Sequence, residues 1–118
     1  FAKNINYLGE WTRNVVYHNL TNYGNLVLLS DGEGDPLVVK EAMIAGLGVV
    51  VTNASAKCID VNKPYITIIK KYDIEDCFKK IQENYDISIQ MRRVIRDDAI
   101  NLYSLNIDNY IKLIANIN

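Results

Sequence analysis

The stretch S-D-G-E-G-D-P-L-V-V-K-E-A-M-I-A-G-L-G-V-V-V, from Ser30 to Val51, decides how the rest of the chain reads. A short continuous apolar run, Leu26 to Leu29, precedes it, as a buried parallel strand requires. Ser30 to Asp35 is a polar loop bearing Gly32 and Gly34. Pro36 suits the first turn of a helix, where its missing N–H costs nothing. From about Leu37 to Ala45 the chain is apolar almost all round, apart from Lys40 and Glu41, which predicts a buried helix. Gly46 stops that helix, and Gly48 to Thr52 reads as a second buried strand. Strand, loop, helix and strand in this order predict a parallel βαβ unit.

The chemistry of the stretch starts at the helix mouth. The first N–H groups of a helix, here those of Leu37 and Val38, have no partner inside it, and the macrodipole adds partial positive charge. A phosphate fits such a mouth. Glu41 lies about one turn further in, where an unpaired carboxylate is expensive. Vicinal hydroxyls, as on a ribose, are one remedy, because an ionised carboxylate accepts two hydrogen bonds. Glu33, eight positions before Glu41, faces the same crevice, and Gly32 and Gly34 let the backbone approach a ligand closely. The same residues also suit plain turn chemistry, with Glu33 a solvated loop acid and Glu41 paired to a lysine.

Outward from the motif, Ile5 to Leu8 alternates and ends at Gly9, which reads as a short strand. Thr12 can cap a helix carrying Val16, Leu20 and Tyr23, ended by Gly24. Ile66 to Ile69 is a further strand after the turn residues Asn62, Lys63 and Pro64. Asp73 can then cap a helix with Ile74, Cys77, Phe78 and Ile81 on one face. Ser88 can cap another bearing Met91, Val94, Ile95 and Leu102, and Asn106 a last one bearing Ile107, Tyr110, Ile111, Ile114 and Ile117. The expectation is one α/β domain over residues 1–118: a Rossmann-like parallel sheet of about four strands flanked by helices, with helices at the C-terminal end.

At this point a resemblance enters. E-G-D-P-L-V-V-K-E-A-M-I-A-G-L-G-V-V-V, Glu33 to Val51, resembles the E-G-x-P-L-V-x-x-E-A-M-A-x-G-x-P-V-V signature of family-4-type retaining glycosyltransferases with the GT-B fold. Tyr7-Leu8-Gly9-Glu10 resembles the F-L-G turn upstream, Leu26 to Ser30 the L-V-L-P-S strand, and the final helices those that pack back on the sheet. The segment L-V-V-K-E is similar to trehalose-6-phosphate synthases as well. The resemblance implies the later part of a donor domain that binds a nucleoside-diphosphate sugar as donor substrate. It implies retaining transfer of a hexosyl group to a carbohydrate, lipid or protein acceptor, with no cofactor and no metal. By match, Glu33 is the catalytic-site acid and contacts the donor sugar, beside backbone N–H groups of Gly34 and Asp35. Pro36 opens the helix, the amides of Leu37 and Val38 hold the diphosphate, and Glu41 binds the ribose hydroxyls. Gly9 and Trp11 fall near where the family places the base, although plain packing suits Trp11 equally.

Three departures stand out. Gly48 replaces the family's usual Pro, and Asn53-Ala54-Ser55-Ala56-Lys57 replaces its G-G-x-x-E. The strand–helix units that carry the family's Arg and Lys for the diphosphate have no counterpart before Phe1, nor has the acceptor domain. The chain is therefore expected to be part of a longer enzyme, inactive by itself, with a repacked or sticky sheet edge. The alternative is a non-catalytic Rossmann-like binding or interaction module.

Composition narrows the class further. Among 118 residues, hydrophobic content of 49% and charged content of 23% suit a soluble globular domain. A net charge of −1 gives no bulk attraction to nucleic acid or anionic lipid, and no apolar run spans a bilayer. Cys58 and Cys77 lack metal-ligand spacing and read as reduced thiols of a cytoplasmic protein. The first residues are Phe-Ala-Lys, which predicts a processed or shortened amino end. His18 reads as a surface residue, and Arg92, Arg93, Arg96, Asp97 and Asp98 as a solvated face with local ion pairs.

Overall fold

The structure, a computed structural model, describes residues 5–29, 37–53, 56, 62–70 and 73–103. Along these the elements are α1 (Arg13–Asn19), a 3-10 turn (Leu20–Asn22), β1 (Asn25–Leu28), α2 (Leu37–Ile44), β2 (Gly48–Thr52), β3 (Ile66–Ile69), α3 (Ile74–Gln90) and α4 (Arg92–Leu102). The strands form an open, all-parallel sheet in the order β1-β2-β3. Asn25 pairs with Gly48 and Leu28 with Val51; Val49 pairs with Ile66 and Thr52 with Ile69. Every residue of the central strand is buried, which is why it reads as a continuous apolar run rather than an alternation.

Alternation of side chains assigns the two faces of the sheet. Val49 and Val51 join one buried cluster with Val39, Ala42 and Met43 of α2 and Ile95 and Ala99 of α4. Gly48, and with it Val50, faces α3, where Ser88 lies directly over the glycine. Helix α2 ends as its glycine dictates. Gly46 has a φ of 88°, its N–H bonds to the Met43 carbonyl, and the Leu47 N–H bonds to that of Ala42. This is the paired six-to-one and five-to-two closure of a left-handed helix cap. Helix α4 then runs back along α2: its first residue, Arg92, abuts Gly46, and Tyr103 past its end lies under Lys40.

Helix α3 is tied to all three strands by one buried side chain. The Asn84 amide nitrogen contacts the carbonyls of Val49 (3.1 Å) and Tyr65 (2.9 Å) and the Thr67 hydroxyl (3.1 Å). Its amide oxygen accepts from Asn25 Nδ2 (2.9 Å) and Ser88 Oγ (3.2 Å). A buried network this fully satisfied specifies one position of the helix on the sheet.

Three expectations are corrected. The sheet has three strands among the described residues, not about four, because Ile5 to Leu8 forms none. Ile5, Tyr7 and Leu8 are 54%, 78% and 56% exposed, and no strand among the described residues pairs with them. The helix capped by Thr12 stops at Asn19 and tightens into a 3-10 turn before Gly24. Ser88 caps nothing: it is buried inside α3 and bonds back to the Asn84 carbonyl at 2.6 Å, so the break falls at Met91. The Asn106 helix lies outside the described residues. No helix among the described residues is long and apolar enough to cross a membrane.

Candidate functional site

Helix α2 connects two parallel neighbours, so its first turn lies at the carboxyl ends of the strands. Leu37 and Val38, both half-buried, form that turn. In open α/β sheets this edge is where ligands sit. One turn on, Glu41 is 7% exposed, flanked by the fully buried Ala42 and the nearly buried Val39 and Met43. The structure therefore brings three of the expected donor-site residues onto one helix mouth. Glu33, Gly34, Asp35 and Pro36 lie outside the described residues.

Lys40 follows the same mouth, with its ammonium 5.5 Å from the centre of the Tyr103 ring. That is within the range of a cation–π contact and fixes the start of α2 against the end of α4. Trp11 is half-buried and its ring meets that of Tyr23, with centroids 5.9 Å apart at 51°. Tyr23 precedes β1 and so lies toward the amino ends of the strands, whereas Leu37 follows the carboxyl end. Gly9 has a φ of 74° in the exposed segment before Trp11.

His18 is exposed, with Nδ1 2.7 Å from the Asn14 carbonyl one turn back. The charged run on α4 behaves differently from expectation. Among the described residues no ion pair links Arg92, Arg93 or Arg96 to Asp97 or Asp98. Arg92 instead donates to the carbonyls of Thr21 (2.8 Å) and Tyr23, stitching the approach to β1 onto α4. Asp98 turns toward β3. It accepts from the Tyr65 hydroxyl at 2.8 Å and lies 3.6 Å from the Lys63 ammonium.

Asp98 belongs to a cavity that sequence reasoning missed. The cavity has a volume of about 370 Å³ and is lined by Met43, Lys63, Tyr65, Ile66, Asp98, Asn101 and Leu102. Ile66 opens β3 and Lys63 and Tyr65 precede it, so this side of the cavity lies at the amino end of β3, while Asn101 and Leu102 close it from the last turn of α4. A signal existed: Tyr65 joins an apolar run to a turn, and aromatic residues with a polar tip usually find a partner when buried. Nothing local marked Asp98 as that partner. Comparison with protein-family models, with curated proteins and with solved structures gives no match.

Proposed function

We propose that this chain is the later part of a GT-B donor domain that binds a nucleoside-diphosphate sugar for retaining hexosyl transfer in the cytoplasm. The observation that carries this is the buried acid Glu41, one turn inside a helix whose first turn lies at the carboxyl edge of a parallel sheet. Two further features support it. The strand order β1-β2-β3 follows the chain, as in the later half of a doubly wound sheet. The string from Glu33 to Val51 resembles the donor-site signature of family-4-type retaining glycosyltransferases.

In this reading the amides of Leu37 and Val38 hold the diphosphate, and the helix dipole stabilises the charge that grows on it as the glycosidic bond breaks. Glu41 accepts two hydrogen bonds from the ribose hydroxyls. Glu33 orients the donor sugar, with the backbone of Gly34 and Asp35 beside it and Pro36 opening the helix. The base contact that the resemblance implies for Gly9 and Trp11 is not carried into this reading, because Trp11 packs on Tyr23 toward the amino ends of the strands. The acceptor is a carbohydrate, lipid or protein.

Binding raises the melting temperature by mass action, so the test is thermal unfolding with UDP, GDP or ADP at up to about 10 mM. At a hundredfold excess over Kd, one of them should stabilise the chain by about 2.7 kcal/mol, a rise of several degrees. Glu41→Gln, compared with its own melting temperature without ligand, should lose most of that rise. No shift with any of the three, or an undiminished shift in Glu41→Gln, would favour a non-catalytic interaction module instead.

A further inference from the structure

The cavity between the start of β3 and the last turn of α4 carries chemistry that the donor site does not use. Its volume, about 370 Å³, falls within the roughly 300–1,000 Å³ of small-molecule sites. Its floor is apolar: Met43 and Ile66 are nearly buried, and Leu102 forms a more open wall. Its rim is polar, formed by Lys63, Asp98 and Asn101.

The rim is held in place from below. Tyr65, 1% exposed, donates its hydroxyl to Asp98 Oδ2 at 2.8 Å, and Lys63 Nζ lies 3.6 Å from the same oxygen. Asp98 Oδ1 accepts no hydrogen bond among the described residues, and neither the Asn101 amide nor any other donor meets it there. Three open valences therefore surround an apolar floor: a carboxylate acceptor, an ammonium donor, and an amide that both donates and accepts.

These features select a ligand class. Lys63 and Asp98 cancel in charge, so a charged ligand gains from one and loses to the other. A neutral diol gains from both. One hydroxyl donates to Asp98 Oδ1, and its neighbour accepts from Lys63 or Asn101. The C–H face of a saturated ring then covers Met43 and Ile66. We propose that this cavity binds a neutral polyhydroxylated ring of about monosaccharide size. It shares no residue with the proposed donor site, so either can fail without the other.

The test titrates the ¹⁵N-labelled chain, without nucleotide, with methyl α-D-glucopyranoside, methyl α-D-mannopyranoside and myo-inositol, each to about 50 mM. At least one should give saturable shifts at the amides of Ile66, Asp98, Asn101 and Leu102. Asp98→Ala should weaken binding about tenfold or more, as loss of a charged hydrogen-bond acceptor does. Asn101→Ala, at an exposed position of α4, leaves the Tyr65–Asp98 contact intact and should also weaken it. Cyclohexanol, the same ring with one hydroxyl, should bind more weakly than the best polyol. Three results each overturn the proposal: no saturable shift with any polyol, full binding by both variants, or cyclohexanol binding as tightly.

Discussion

Replacing Gly48 by alanine should destabilise the chain by about 2–4 kcal/mol, and most of that cost should be traceable to Ser88. Gly48 is not needed for backbone conformation, since only Gly9 and Gly46 have positive φ among the described residues. The requirement is space. A Cβ at this position would stand 1.9 Å from Ser88 Oγ, 2.9 Å from the Tyr65 carbonyl oxygen and 3.0 Å from Ser88 Cβ. Ser88 cannot simply turn away, because its hydroxyl donates to the Asn84 carbonyl at 2.6 Å and also contacts Asn84 Oδ1. Losing that bond costs about 1 kcal/mol, and the remaining overpacking costs about 1–3 kcal/mol. The Tyr65 carbonyl cannot retreat either, since it accepts the Val49 N–H in the β2–β3 ladder. Urea unfolding of the parent, Gly48→Ala, Ser88→Ala and the double variant forms a cycle. Ser88→Ala alone should cost about 1 kcal/mol, and in that background the glycine substitution should cost at least about 1 kcal/mol less. A Gly48→Ala variant within about 0.5 kcal/mol of the parent, or an equal penalty in both backgrounds, would refute the reasoning.

Asn84→Leu should cost about 3–5 kcal/mol, because it leaves the Asn25 amide only its longer bond to the Ile81 carbonyl and strips partners from Ser88 and the Val49 and Tyr65 carbonyls at once. A variant that unfolds at the parent's urea midpoint would show that the network adds no stability. Asp73→Ala removes the side chain that accepts from the N–H groups of Glu75 (2.9 Å) and Asp76 (3.2 Å). It should cost about 1 kcal/mol, and faster amide exchange in the first turn of α3 would report it.

Much of the fold was legible because its signals are local. Gly48 to Thr52, buried throughout, and Ile66 to Ile69, buried at its ends and half-buried between, are rich in β-branched residues, and both strands have the expected bounds. Thr12 and Asp73 cap their helices through side-chain acceptors as their residue types demand. Ile5 to Leu8 has the same local pattern as a strand and is none, because a strand exists only against a partner. Ser88 misled for a related reason. Serine before an apolar run suits a cap, but periodicity also aligns it with Asn84 and Cys77 on one face of α3. The long-range contacts that decide between those roles, Gly48 with Ser88 and Asn25 and Tyr65 with Asn84, span 40, 59 and 19 positions of the chain. The same distance hid the cavity, since Lys63 and Tyr65 meet Asp98 only across the fold.

The candidate donor site divides along the same line. Burial of Glu41 followed from an apolar surround that the sequence displays residue by residue, and the helix mouth followed from Pro36 and the run after it. The departure at Gly48 did not explain itself. Where the resembling signature has proline, a ring carrying Cβ, Cγ and Cδ would occupy the space filled by Ser88 Oγ. Glycine at 48, serine at 88 and asparagine at 84 therefore form one unit: the small residue admits the hydroxyl, the hydroxyl secures the amide, and the amide ties α3 to all three strands. A proline at 48 would require the loss of Ser88 as well. The unusual residue thus reflects how α3 is anchored behind the sheet. The α2 mouth lies on the other face and at the other end of the strands, so the change carries no consequence for the residues proposed to hold the donor.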